Sequence, residues 1–129
     1  MTINKQPLCP HMIRQVPDQF SWVDHRLVRE RYIDYISHRA AALYLFLVTV
    51  SDAKGLSYYG DETLQKRLCM DNTNLSDARD ALVQQRLIAY KKPLYQVLAL
   101  DHRRVEQNQV ATEPCSIQEV LQQVMGGGV

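Results

Sequence analysis

The chain has 129 residues, of which 46% are apolar, and fifteen basic against fourteen acidic side chains leave a formal net charge of +1. That length fits one compact domain, and the composition excludes wholesale disorder or a fibre. A charge so near zero excludes a global attraction to nucleic acid or an anionic membrane, so any polyanion must be held by local patches.

Residues 1–18 contain Pro7, Pro10 and Pro17 without apolar periodicity, which predicts an extended N-terminal arm. Within it, Cys9-Pro10-His11 offers two metal ligands, but no second CxxC or HxxxH completes a tetrahedral set, so no metal is expected. With Cys69 and Cys115 the cysteines are odd in number and irregularly spaced, which points to free thiols in a reducing compartment. The next stretch, FSWVDHRLV over residues 20–28, is rich in aromatic and β-branched residues; it predicts a short strand before a helical turn in residues 29–36. Trp22 is expected in the core or an interface.

Ser37 is a good N-cap, because its hydroxyl can accept from orphan N–H groups of a first turn, and a helix is predicted over residues 38–52. Leu43, Tyr44, Leu45, Phe46, Leu47 and Val48 make it apolar nearly all round, the mark of a helix buried on several sides. Its run of nine apolar residues, 40–48, falls short of the ~20 needed to span a bilayer, and no secretory core precedes it. A cytoplasmic protein without membrane contact is expected. Lys54-Gly55 supplies a helix stop.

Residues 56–59 suit a short strand, and Gly60 or Asp61 caps a helix through Leu68 whose inward stripe is Leu64 and Leu68. Asp71 caps the following helix, in which Leu75, Ala78 and Leu82 share one face, and which ends near Arg86. LIAYKKPLYQVLAL then gives two strand-like runs broken at Lys92-Pro93, a β-hairpin. Residues 101–115 are a polar linker. Ser116-x-x-Glu119 is a capping box for a C-terminal helix over residues 116–125, with Ile117, Val120, Leu121 and Val124 as its stripe and a glycine-rich end beyond.

The order strand, helix, strand, helix, helix, hairpin predicts a winged helix-turn-helix over residues 19–100. The expected class is mainly α with a small β-hairpin (α+β), with an extended arm before the domain and a linker and helix after it. HRAAALYLFLVTVSDAKGLSYYGDETLQKRL and NLSDARDALVQQRLI resemble the winged-helix domains of bacterial and plasmid replication initiators of the DnaD and RepA type. FSWVDHRLVR, LYLFLVTVSDAKGLSYY and LIAYKKPLYQVLAL are similar to a group of small uncharacterised bacterial winged-helix proteins. The resemblance implies double-stranded DNA as partner, with residues 72–85 in the major groove and residues 90–95 as the wing. It also implies a regulatory or accessory role in replication or mobile-element transposition. Asp71, Asn72, Thr73 and Asn74 depart from the serines and arginines common at the start of such a helix, and the Lys-Lys-Pro wing is short.

With Leu75, Ala78 and Leu82 inward, the helical period puts Thr73, Ser76, Asp77, Asp80 and Gln84 outside. Asn72, Thr73, Asn74 and Ser76 are the candidates for base contact, since an amide can bond bidentately to adenine. Lys66, Arg67, Lys91, Lys92, Arg103, Arg104, Arg29 and Arg39 are the candidates for phosphate contact, provided they share a face. Asp77 and Asp80 are read first as a solvated surface, because a carboxylate near phosphate is repelled. Arg79 is expected toward the flank, pairing with a carboxylate. The alternative function is a protein-interaction module whose face is Asp77, Asp80 and Gln84. The helix around residues 40–50 and the C-terminal helix offer surface for a homodimer. His25, His38 and His102 have no nucleophile or carboxylate in a catalytic context, and no phosphate loop or HExxH occurs, so neither an enzyme nor a cofactor is expected.

Overall fold

The computed structural model describes residues 5–100. The expected linker and C-terminal helix lie outside them, as do Arg103 and Arg104. Within them the element order is a 3-10 turn (Pro10–Met12), α1 (Arg26–Arg29), a second 3-10 turn (Tyr32–Tyr35), α2 (His38–Val50), β1 (Leu56–Tyr58), α3 (Asp61–Leu68), α4 (Asn72–Gln84), β2 (Ile88–Lys91) and β3 (Leu94–Val97). The protein is therefore mainly helical with one three-stranded antiparallel sheet, in the order β1-β3-β2. No helix among the described residues is long and apolar enough to cross a membrane.

The core grows from α2. Ser37 Oγ accepts from the Ala40 N–H at 3.1 Å, starting the helix as the sequence predicts. Ala40, Leu43, Tyr44, Leu47 and Val48 are its buried residues, at the i, i+3, i+4, i+7, i+8 spacing of a single stripe. That stripe meets Leu75, Ala78 and Leu82 of α4, together with Leu64, Leu87, Ile88 and Tyr95. Each fully buried leucine contributes about 2 kcal/mol relative to exposure. The helix is not buried all round, however: Leu45 is 61% exposed, and its apolar neighbours in sequence point elsewhere. Phe46 leaves the stripe but packs edge-on against Tyr59, ring centroids 5.0 Å apart.

Three sequence expectations are not met on either side of α2. No strand forms over residues 20–28, because the Asp24 carboxylate accepts from the Arg26 backbone N–H at 2.9 Å and grips its guanidinium at 2.6 Å, turning the chain into α1. Trp22 is 76% exposed and so is not a core residue. Nor does Lys54-Gly55 end α2, which stops at Val50 when Ser51 turns extended. Asp52 Oδ1 accepts from the N–H groups of Lys54 and Leu56 at 2.8 and 2.9 Å, and this side-chain turn leads into β1.

Gly55 has a different task. Its φ is +84°, and a Cβ there would lie 2.6 Å from the Val97 carbonyl oxygen. Close approach lets the Gly55 carbonyl accept from the Val97 N–H at 2.8 Å, extending the contact of the turn with β3. α3 and α4 both end with a left-handed residue that is not glycine. At α3 it is Cys69, with Met70 N–H donating back to Gln65; at α4 it is Arg86, with Leu87 N–H donating back to Leu82.

Gly55→Ala is expected to lower unfolding stability by at least about 2 kcal/mol, from left-handed strain plus the backbone clash. Gly60, which has open space around it, should tolerate alanine within roughly 1 kcal/mol; urea denaturation of the two variants checks both. Arg26 holds the Asp24 carboxyl at about 2, below its usual 3.8. A depressed carboxyl stabilises the fold above the unfolded value, so its contribution should fade as pH falls from near 4 toward 2. An Asp24→Asn variant should lack that part of the acid dependence in a pH series of melting temperatures.

Candidate nucleic-acid interface

The helix expected to read DNA is α4. Asp71 caps it by accepting from the Asn74 N–H at 2.7 Å. The cap has an electrostatic consequence: a carboxylate already occupies the positive end of this helix, where a phosphate would otherwise be welcome. Asn72 and Thr73 are exposed, whereas Asn74 and Ser76 are partly buried. Of the four base-contact candidates, the first two thus have open access, and the other two are reached at the margin of the helix. Asp77, Asp80 and Gln84 are exposed, continuing one outward face with Thr73.

Arg79 is the basic residue of α4, and it is turned inward. Its side chain is 12% exposed and bonds Asp61 Oδ1, at the start of α3, at 3.0 Å. The same guanidinium donates to the Tyr95 hydroxyl at 2.9 Å and lies 4.4 Å from the centroid of the Tyr90 ring. Tyr90 and Tyr95 are cross-strand partners in β2 and β3, with ring centroids 4.6 Å apart. Burial works against the Arg79 charge, but Tyr95 and Asp61 overcome it, and the pKa is raised. Burial also pushes the Tyr95 phenol up to about 12, against the opposing pull of Arg79. Pairing of Arg79 with a carboxylate was legible in the sequence. Its identity was not, because Asp61 and Tyr95 reach it only through the tertiary packing of α3 and the sheet.

The remaining cations are distributed rather than gathered. Lys91 ends β2 and Lys92 begins the hairpin turn, both exposed, and the Pro93 carbonyl accepts from the Tyr59 N–H at 3.2 Å. This bond pins the hairpin tip beside the entry to α3. Lys66 and Arg67 are exposed in the last turn of α3, at its other end. Along α3 itself, Lys66 and Arg67 stand about 8–9 Å beyond its first residue. Arg29 in α1 and Arg39 in the first turn of α2 are also exposed.

In the arm, Cys9 is exposed and His11 lies in a 3-10 turn. Among the described residues no group of three or more His, Cys, Asp or Glu side chains is placed to hold a metal. Comparison with protein-family models gives no match, and comparisons with curated proteins and with solved structures give none either.

Because Arg79 joins α3, α4 and the hairpin, Arg79→Met should cost about 2–3 kcal/mol, leaving a buried phenol and a carboxylate unpaired. Arg79→Lys should recover only part of that loss, since one ammonium cannot reproduce the guanidinium's planar fork. Denaturant midpoints of the two variants measure this directly.

Proposed function

We propose that the chain is a winged-helix DNA-binding protein of the bacterial cytoplasm, regulatory or accessory to replication or transposition. The reading rests on one observation above the rest: a helix–strand–helix–helix–hairpin order whose sheet runs β1-β3-β2, with lysines at the exposed hairpin tip. In this reading Lys91 and Lys92 hold phosphate from the wing while Lys66 and Arg67 hold it beside α4. Asn72 and Thr73 supply limited contact with base edges, with Asn74 and Ser76 at the margin. Affinity is carried by counterion release and hence falls steeply with salt. Arg29 and Arg39 take part where a bent or longer duplex reaches α1 and α2.

A second reading has its own observation. Arg79 is committed to the interior, so the outward face of α4 presents Asp77 and Asp80 with no cation between Thr73 and Gln84. Such a face suits a basic protein segment, with the wing as a bystander.

Fluorescence anisotropy with a labelled random-sequence duplex across a salt series separates the two. In the DNA reading, Lys91→Glu/Lys92→Glu weakens binding by at least about tenfold and flattens the salt slope by about two phosphate contacts. Asp77→Lys/Asp80→Lys then strengthens binding. Absence of wild-type binding even at low salt removes the DNA reading, and capture of a basic peptide by wild type but not by the Asp77/Asp80 variant establishes the second.

A further inference from the structure

A cleft of about 600 Å³ opens between the segment leading into α1, α2, the turn after it, and the end of β3 with the chain beyond. Its walls include Phe20 and Trp22 from the segment before α1, Tyr44 and Val48 from α2, Lys54 from the turn, and Leu100. That volume lies within the range of small-molecule sites, about 300–1,000 Å³. Phe20 and Trp22 are 65% and 76% exposed, an unusual cost for large rings unless something covers them.

The polar groups of the cleft show which chemistry is unspent. Asp24 is committed to Arg26, and Asp52 to the backbone N–H groups of Lys54 and Leu56. Ser21 Oγ donates to the Thr49 carbonyl and Ser51 Oγ to that of Val48. Tyr44 differs: the residue is 7% exposed, its oxygen reaches solvent, and its hydroxyl bonds no described residue. Burial, and then the Asp24 charge, raise its pKa, so the phenol stays a neutral donor. Lys54, beside Asp52, makes no ion pair among the described residues, and Gln96 adds an exposed amide. An unpaired phenol in the cleft wall is a donor that a bound acceptor can use.

We propose that this cleft binds a small, flat aromatic carboxylate, its ring against Phe20 and Trp22 and its carboxylate accepting from the Tyr44 hydroxyl, with the Lys54 ammonium in the same wall favouring the anion. Aromatic walls favour a planar ligand, because rings bury large area with few rotors to freeze. Both wall carboxylates are already satisfied, so the free capacity is that of a donor and a cation. The site is independent of whether α4 meets DNA or protein.

The chain's single tryptophan lines the cleft and gives one indole N–H resonance, so ¹H–¹⁵N spectra of the full chain report on the site itself. The probe is 2-naphthoate, with naphthalene-2-carboxamide as its uncharged counterpart. Saturable movement of the Trp22 resonance below about 1 mM naphthoate is expected, with weaker binding of the amide. Tyr44→Phe, which removes one oxygen from the wall, should weaken naphthoate binding about 5–10-fold, and Lys54→Met should narrow the preference for acid over amide. Preserved spectral dispersion shows that each variant is folded, and Lys54→Met provides an exposed alternative if Tyr44→Phe is not. An indole resonance unmoved by naphthoate overturns the proposal, as does equal affinity for acid and amide or unchanged affinity in a folded Tyr44→Phe.

Discussion

One guanidinium holds α3, α4 and the hairpin of this molecule in register. Arg79 reaches Asp61 on α3, the Tyr95 hydroxyl on β3 and the face of Tyr90 on β2 from a single position on α4. A short helix and a small hairpin would each be marginal alone. Joined through a charge that is paired, hydrogen-bonded and stacked, their relative placement becomes a property of the fold rather than of each element. Tyr95, the largest fully buried side chain among the described residues and a member of the central strand, is the floor on which this joint rests.

The same joint determines what the surface has left to offer. An arginine that stabilises the interior cannot also reach a base, and α4 is left with carboxylates along its outward face. Asp71, by capping the helix, places another negative charge at its otherwise attractive end. Cations at the hairpin tip and at the far end of α3 flank this acidic strip instead of covering it. The surface is thus a mosaic: exposed cations lie on α3 and the hairpin tip, and the first turn of α4 exposes the short neutral side chains Asn72 and Thr73.

Much of the architecture was legible because it rests on local rules. Ser37 and Asp71 are caps in the sequence and in the structure, and the Leu75–Ala78–Leu82 spacing gives the buried face of α4 directly. What the sequence hid depends on which of two competing local interactions prevails. At residues 20–28, β propensity competed with an Asp24–Arg26 ring, and the ring set the backbone. Gly55 looked like a helix terminator, whereas the left-handed turn serves a close approach to Val97 that is distant in sequence. Tyr44 was indistinguishable from its apolar neighbours, since a core stripe has the same spacing whether or not a phenol on it finds a partner. For the candidate interface, the sequence placed Thr73, Asp77, Asp80 and Gln84 outside, as they are, but not the partial burial of Asn74 and Ser76, nor the bond from Tyr59 to Pro93 that sets the hairpin tip, beside Lys91 and Lys92, at the entry to α3.

The order β1-β3-β2 also leaves two edges on the sheet, a feature that bears on how the protein behaves in a crowded solution. An open edge is a template on which another chain can pair its backbone. Here one edge is the three-residue β1, and the other is the four-residue β2, which ends on the charged Lys91. Shortness on one side and a terminal lysine on the other make both poor templates for runaway strand addition. The hairpin can therefore remain exposed without making the sheet a seed for aggregation.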